Sequence, residues 1–239
     1  MMERRMEYLK PAEYRELRSQ APIAYLPWGA HEWHGVHNPL GTDAIKAHRL
    51  CMELAEQTGG VVFPPVYCGY GTMLRHGQTC NLDFPIELVE TTARTYFLGL
   101  AMEGWHVIVV MMGHYGWDHV CAIRRQARMF QEDNARRIRV IAEPDYVWTS
   151  PELPGDHAAA NETSYMMHFF PDLVDLSRLP SAADVPELGI RREGVGGIDP
   201  RREASADRGR RQIELLLSRA VPQIRAALAE VWTPGAHAP

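Results

Sequence analysis

Four of the chain's eleven histidines, His31, His34, His37 and His48, fall within residues 31–48, beside Glu32 and Asp43. An even spread over 239 residues would put about one histidine there. Imidazoles and carboxylates at this density are metal-capable groups. In an extended segment, residues two apart point to the same side, so Glu32 and His34 can present a carboxylate and an imidazole to one point in space. Asp43 stands where a helix should begin, a position that suits capping as well as a metal. Its neighbours Glu32 and His34 tilt that choice toward the metal.

A second cluster, Gly113-His114-Tyr115-Gly116-Trp117-Asp118-His119, follows the most apolar run in the chain. A third, Gly155-Asp156-His157-Ala158-Ala159-Ala160-Asn161-Glu162-Thr163-Ser164, sets His157 in a loop of small residues and Glu162 near a helix start, where the same residues are also good capping chemistry. Glu32, His34, Asp43, His114 and Glu162 together form a mixed carboxylate and imidazole set. It suits Zn, Mn or Fe and argues against a thiolate-rich structural zinc site. Five ligands exceed what one catalytic zinc with an open position takes, and they suit two divalent metal ions bridged by a carboxylate, with Asp43 as the bridge. Two such ions ~3.5–4 Å apart would lower the pKa of a shared water toward ~7, giving a metal-bridging hydroxide at neutral pH and polarising a substrate oxygen. That is hydrolytic chemistry. His31 and His37 are candidates to orient ligands through their second ring nitrogen, and His157 to carry a proton to the leaving group.

These residues need a scaffold that brings them together, and the hydrophobic pattern supplies one. Residues 23–26, 61–63, 107–112 and 139–142 read as strands, while 43–58, 87–105, 117–134, 161–170 and 212–231 read as helices. Alternation at this spacing implies parallel βαβ units, hence an α/β fold: a three-layer α/β/α sandwich around a mainly parallel sheet, in one domain over residues 1–239. Ligands of open parallel sheets collect beyond the carboxyl ends of the strands, where the loops after residues 26 and 112 both emerge. Residues 180–211 show no period and read as loop. The pairs Arg191-Arg192, Arg201-Arg202 and Arg210-Arg211, interleaved with acids, read as a solvated or subunit-contacting face.

Composition narrows the partners. The chain carries 25 Lys and Arg against 30 Asp and Glu, a formal net charge of −5, which favours neither nucleic acid nor an anionic membrane. No apolar run approaches the ~20 residues of a membrane span. The opening MMERRMEYLK lacks the apolar core of a signal peptide, so a cytoplasmic location is expected. Cys51, Cys68, Cys80 and Cys121 form no C-x-x-C pair and read as free thiols.

The segment Trp28-Gly29-Ala30-His31-Glu32-Trp33-His34-Gly35-Val36-His37-Asn38-Pro39-Leu40-Gly41-Thr42-Asp43 resembles the Gly-Ser-Thr-Glu-Gln-His-Gly-Pro-His-Leu-Pro-Leu-Gly-Thr-Asp signature of the creatininase (creatinine amidohydrolase) family. The Glu-x-His and Pro-Leu-Gly-Thr-Asp frame is intact. Gly113-His114 is similar to that family's Gly-His-Gly-Gly-Asn turn, residues 157–164 to its His-Ala-Gly-Glu-x-Glu-Thr-Ser segment, and Gly197-Ile198-Asp199-Pro200 with Ala204-Ser205 and Gly209 to its late Gly-Asp-Pro and Ala-Ser stretch. The resemblance implies an amidohydrolase acting on small amides through a dinuclear metal centre, in a homo-oligomer that is usually a hexamer. It implies Glu32 and His114 on one ion, His34 and Glu162 on the other, and Asp43 bridging.

The departures bear on substrate. Where creatininase has a ligating Glu two residues after the turn histidine, this chain has Gly116, so Glu162 must complete the site. Trp117 replaces the turn's Asn, and Ala159 and Ala160 replace Gly and Glu. Creatinine is therefore not assumed as the substrate. The family also includes deformylases of pyrimidine intermediates, a peptidase of redox-cofactor maturation and a hydrolase opening keto-inositol rings. Trp33, Tyr115, Trp117 and Trp148 are candidates to line a pocket for a flat ring. The expected function is hydrolysis of a C–N bond in a small cyclic or linear amide. The alternatives are hydrolysis of a ring ketone or lactone in sugar or inositol breakdown, and a metal-binding or assembly subunit without turnover.

Overall fold

The computed structural model describes residues 2–134 and 137–233. Its centre is a sheet in which β1 (Ile23–Gly29) lies between β2 (Val61–Val62) and β4 (Val107–Met112), and β5 (Arg139–Pro144) flanks β4. The short β3 (Val66–Tyr67) pairs with the far end of β1, and every named ladder is parallel. β1 runs in register with β4 from Ile23 opposite Val107 to Trp28 opposite Met112. Alternate side chains therefore feed two cores. Ala24, Leu26, Trp28, Ile108, Val110 and Met112 face a layer built from α1 (Pro11–Gln20), α3 (Ile86–Met102) and α4 (Trp117–Asn134). Ile23, Tyr25, Val107, Val109 and Met111 face α2 (Thr42–Thr58), α5 (Ala160–Phe169) and α7 (Ala206–Val231). This is the α/β/α sandwich that the pattern predicts.

The expected bounds of β4 and α4 hold to the residue. β1 runs three residues past its expected end: Pro27, which has no N–H to give, falls between the stretches of β1 that pair with β2 and with β3, and sits opposite Met111 of β4. The stretch 180–211 is not all loop: α6 (Pro200–Glu203) lies in it, and α7 starts at Ala206, where the Ser205 hydroxyl accepts the Arg208 N–H. Arg201 is not on a solvated face. Its guanidinium is largely buried against Asp199 and donates to the carbonyls of Pro180 and Val185, pinning the loop before α6. All four cysteines are free. Among the described residues no helix is long and apolar enough to cross a membrane.

The strand order places β1 and β4 side by side with their connections leaving toward opposite edges, the switch point at which open parallel sheets bind ligands. Close packing completes the crevice. A Cβ on Gly113, just past β4, would sit 2.1 Å from the Asp43 carbonyl oxygen, so only a bare backbone lets the first turn of α2 rest on the strand end. Asp43 is thereby delivered to the carboxyl edge of the sheet.

Candidate metal centre

Glu32 and His34 lie in the loop after β1, Asp43 is the second residue of α2, His114 follows β4, and Glu162 is the third residue of α5. All five are buried. Asp43 does not serve as a helix cap: Gly41 holds that position, and one Asp43 oxygen instead accepts the Ala30 N–H. Asp43 Oδ2 lies 3.2 Å from His114 Nδ1, which is 2.8 Å from Glu32 Oε2. Asp43 Oδ1 lies 2.9 Å from His34 Nε2, which is 3.4 Å from Glu162 Oε2. The five side chains thus fall into two triads, Glu32–Asp43–His114 and His34–Asp43–Glu162, which share Asp43.

The backbone sets both imidazoles. The Nδ1–H of His34 donates to the carbonyl of Glu32 at 3.0 Å, and the Nε2–H of His114 donates to the carbonyl of Tyr70 at 3.0 Å. The nitrogen left over in each ring faces carboxylates, and in the neutral ring it offers a lone pair there, the arrangement in which a second hydrogen bond orients a metal ligand. His34 Nε2 and Glu32 Oε2 are buried without a hydrogen-bond partner, although charged atoms stand within contact distance. Positive charge between them satisfies those atoms. A metal ion fits this donor set of imidazole nitrogen and carboxylate oxygen.

The electrostatics say the same. Burial works against charge on His34, but Asp43 and Glu162 outweigh it and hold its pKa well above the ordinary value. Burial likewise opposes charge on His114, and Glu32 and Asp43 override it. Burial pushes the Asp43 carboxyl up, yet the two imidazoles bring it well below the usual carboxylate range. Glu162 is also held low, by Lys46 and then His34, against its own burial. Asp43 and Glu162 stay ionised, and the centre calls for cations, whether protons or metal.

A cleft of about 530 Å³ opens onto the centre. Glu32, Asp43 and His114 line it, together with Tyr115, Tyr146, Met73, Ile190, Asp156 and His157. The His157 ring packs on His34 with centroids 4.4 Å apart, and its Nε2–H donates to the Trp33 carbonyl at 2.8 Å. Burial, followed by the neighbouring His34, lowers the His157 pKa. Together with Glu32 and His34 it forms a further group of potential ligand atoms.

Not every expected residue joins the site. Trp117 starts α4 and is 73% exposed, outside the cleft lining. Trp148 is buried in the α7-side core, where its indole N–H donates to Gln223, so it is a packing residue. The Trp33 indole N–H donates to the Glu193 carbonyl. His31 stacks on Tyr67, and His37 Nε2 contacts the Ala158 carbonyl, Thr163 and Asn38; neither orients one of the five ligands through its ring nitrogens. Tyr115 does line the cleft, but its hydroxyl is bound to Asp145 and Lys46.

Three polar residues escaped sequence reasoning. Lys46, Asp145 and Asp156 all lie behind or beside the ligands. Lys46 and Asp145 are fully buried, and Lys46 contacts Glu162. Asp156 accepts the N–H groups of Asn161 and Glu162, so it caps α5 and holds Glu162 in place. Lys46 follows Asp43 by three residues on one helix face, a signal that was legible but reads by default as a solvated charge.

The chain is 28% identical to creatinine amidohydrolase of Pseudomonas putida over 246 residues, covering 89% of this chain and 90% of that protein. It is also 28% identical to the mycofactocin precursor peptide peptidase of Mycobacterium ulcerans over 243 residues, covering 92% and 89%. A crystal structure of creatinine amidohydrolase superposes with a TM-score of 0.79 at 22% identity, covering 98% of this chain and 100% of the other. Solved creatininases of the same fold include a zinc–zinc type and a manganese form. The family model for creatininase, described as creatinine amidohydrolase, matches residues 7–224. The chain therefore belongs to the creatininase family and is a hydrolase of that family.

Proposed function

We propose that the chain is a dinuclear metal-dependent hydrolase that cleaves a C–N bond in a small cyclic or linear amide. The observation that carries this reading is the placement of Asp43, whose two oxygens face two different imidazole–carboxylate pairs. Glu32 and His114 would hold one divalent ion and His34 and Glu162 the other, with Asp43 between them. Zinc, manganese and iron all accept these ligands, and the metal forms of the solved relatives support the first two. A pair of such ions supplies Lewis acidity and a nucleophilic water at neutral pH.

The protein's own residues supply the rest. His157 donates one N–H to Trp33 and so keeps a lone pair on Nδ1. Neutral at pH 7 because of its burial, it can take a proton in the cleft and return it to the departing nitrogen. Tyr146, Met73 and Ile190 give the cleft apolar walls suited to a small flat group. A homo-oligomer, hexameric on the family resemblance, and a cytoplasmic location belong to the same reading and are checked by sedimentation and cell fractionation.

Metal-loaded protein should be assayed on creatinine, N-formyl amides, short peptides and cyclic polyol ketones. Turnover of an amide, lost in Glu32→Ala, supports the proposal. Turnover confined to ring ketones or lactones replaces it with the carbohydrate-ring reading. No turnover by protein that binds both ions leaves a metal-binding or assembly subunit.

A further inference from the structure

We infer that Lys46 is a positioning residue that confines Glu162 to a single metal-facing oxygen, an inference that rests on the dinuclear reading above. Lys46 is completely buried, and its ammonium meets three acceptors: Glu162 Oε1 at 2.5 Å, the Tyr115 hydroxyl at 2.7 Å and the Gly113 carbonyl at 3.3 Å. Asp145 Oδ2 stands 3.4 Å away, and Asp145 Oδ1 accepts the Tyr115 O–H at 2.5 Å. One buried cation is thus shared between two buried carboxylates, only one of which belongs to the metal centre. An unpaired ammonium would not remain charged there, so the pairing is what keeps it in place.

The consequence falls on Glu162. Its Oε1 is committed to Lys46, while its Oε2 accepts the Ala158 N–H at 2.8 Å and faces His34. Ala158 reaches that oxygen from a left-handed backbone, at φ 50°, a conformation non-glycine residues adopt at some cost. Glu162 therefore has one oxygen for a cation and cannot chelate through both. A metal ion held by His34, Asp43 and Glu162 would then have fewer protein oxygens around it and more room for a further ligand. The ammonium also repels a divalent ion across the same dry interior. Asp145 moderates this by drawing the ammonium partly away.

The geometry yields opposite signs for two variants. In Lys46→Met, Glu162 gains its second oxygen and the repulsion disappears, so Zn²⁺ should bind the His34–Asp43–Glu162 triad about tenfold more tightly while kcat falls. In Asp145→Asn, Glu162 is the one carboxylate left beside the ammonium, and Zn²⁺ should bind about tenfold more weakly. The experiment is equilibrium Zn²⁺ titration of wild type and both variants, with the visible spectrum of the Co²⁺ forms. Chelation by both Glu162 oxygens raises the coordination number and weakens the Co²⁺ bands in Lys46→Met. Tighter binding with weakened bands, opposed by weaker binding in Asp145→Asn, supports the inference.

A residue that only fills space would lower affinity in both variants, and that result, or unchanged affinity in both, overturns it. If Lys46→Met does not fold cooperatively, Asp145→Asn decides: weakened Zn²⁺ binding supports the inference and unchanged binding overturns it. A wild type that takes up no ion at this triad overturns the dinuclear reading as well. Normal uptake of two ions with indifferent variants overturns only the role of Lys46.

Discussion

Gly116 and His114 leave no room for a side chain between them: a Cβ on Gly116 would stand 2.8 Å from His114 Nε2 and 2.6 Å from the Tyr70 carbonyl oxygen. Those two atoms make the hydrogen bond that turns the His114 lone pair toward Glu32 and Asp43. The position where the family resemblance puts a ligating glutamate is here given over to orienting the histidine. Gly116→Ala should therefore push His114 off Tyr70 and weaken metal binding by about tenfold or more. Titration of the apo variant with Zn²⁺ measures this, and an unchanged affinity would show that the Tyr70 contact does not orient the ligand.

His157 packs against His34 and stands outside the proposed five-ligand set. His157→Ala should keep both ions and lose about 100-fold in kcat, as metal analysis and steady-state kinetics on the same preparation would read. Loss of an ion would move His157 into the ligand set, and full activity would remove it from proton transfer.

The two tryptophans outside the cleft should respond in opposite ways. Trp148→Ala empties a buried core position and should cost about 3–5 kcal/mol of stability without changing KM. Trp117→Ala, at an exposed helix start, should change stability by less than about 0.5 kcal/mol and leave activity intact. Denaturant melts and KM values separate these outcomes. A raised KM in either variant would return that residue to the substrate site.

Burial holds His37 neutral, lowering its pKa to about 4, whereas an unfolded chain protonates histidine near 6.5. Between these values the unfolded chain binds more protons than the folded one. The contribution of His37 to stability is therefore complete above pH ~6.5 and is lost as pH falls toward about 4, by about 3 kcal/mol in full. Urea unfolding at pH 7 and pH 5 should show a steeper loss in wild type than in His37→Gln. Parallel profiles would mean that His37 titrates normally in the folded chain.

Some of this structure was legible because one signal dominated locally. β4 is an unbroken apolar run and α4 a clear amphipathic period, so pattern alone set their ends. The five candidate ligands were legible because imidazoles and carboxylates gather in three short segments, and because a parallel sheet brings such loops to one edge. Other features depend on contacts distant in sequence. That Pro27 continues β1 depends on where β2 and β3 happen to pair with it. Which imidazole nitrogen faces the carboxylates is decided by the carbonyls of Glu32 and Tyr70. Lys46 looks like any solvated lysine until Asp145 and Glu162 are found on either side of it, 99 and 116 residues further along the chain. Trp148 could equally have lined a cleft, and only its contact with Gln223 on α7 puts it in the core.

In the proposed centre Asp43 divides five ligands between two ions. Elemental analysis of metal per chain tests it most directly, on protein purified without chelators or a polyhistidine tag, beside Glu32→Ala and Glu162→Ala. Nearly two ions per wild-type chain are expected, with a loss of about one in each variant, since the variants disable different triads. One ion or none in the wild type, or two retained in both variants, would contradict it.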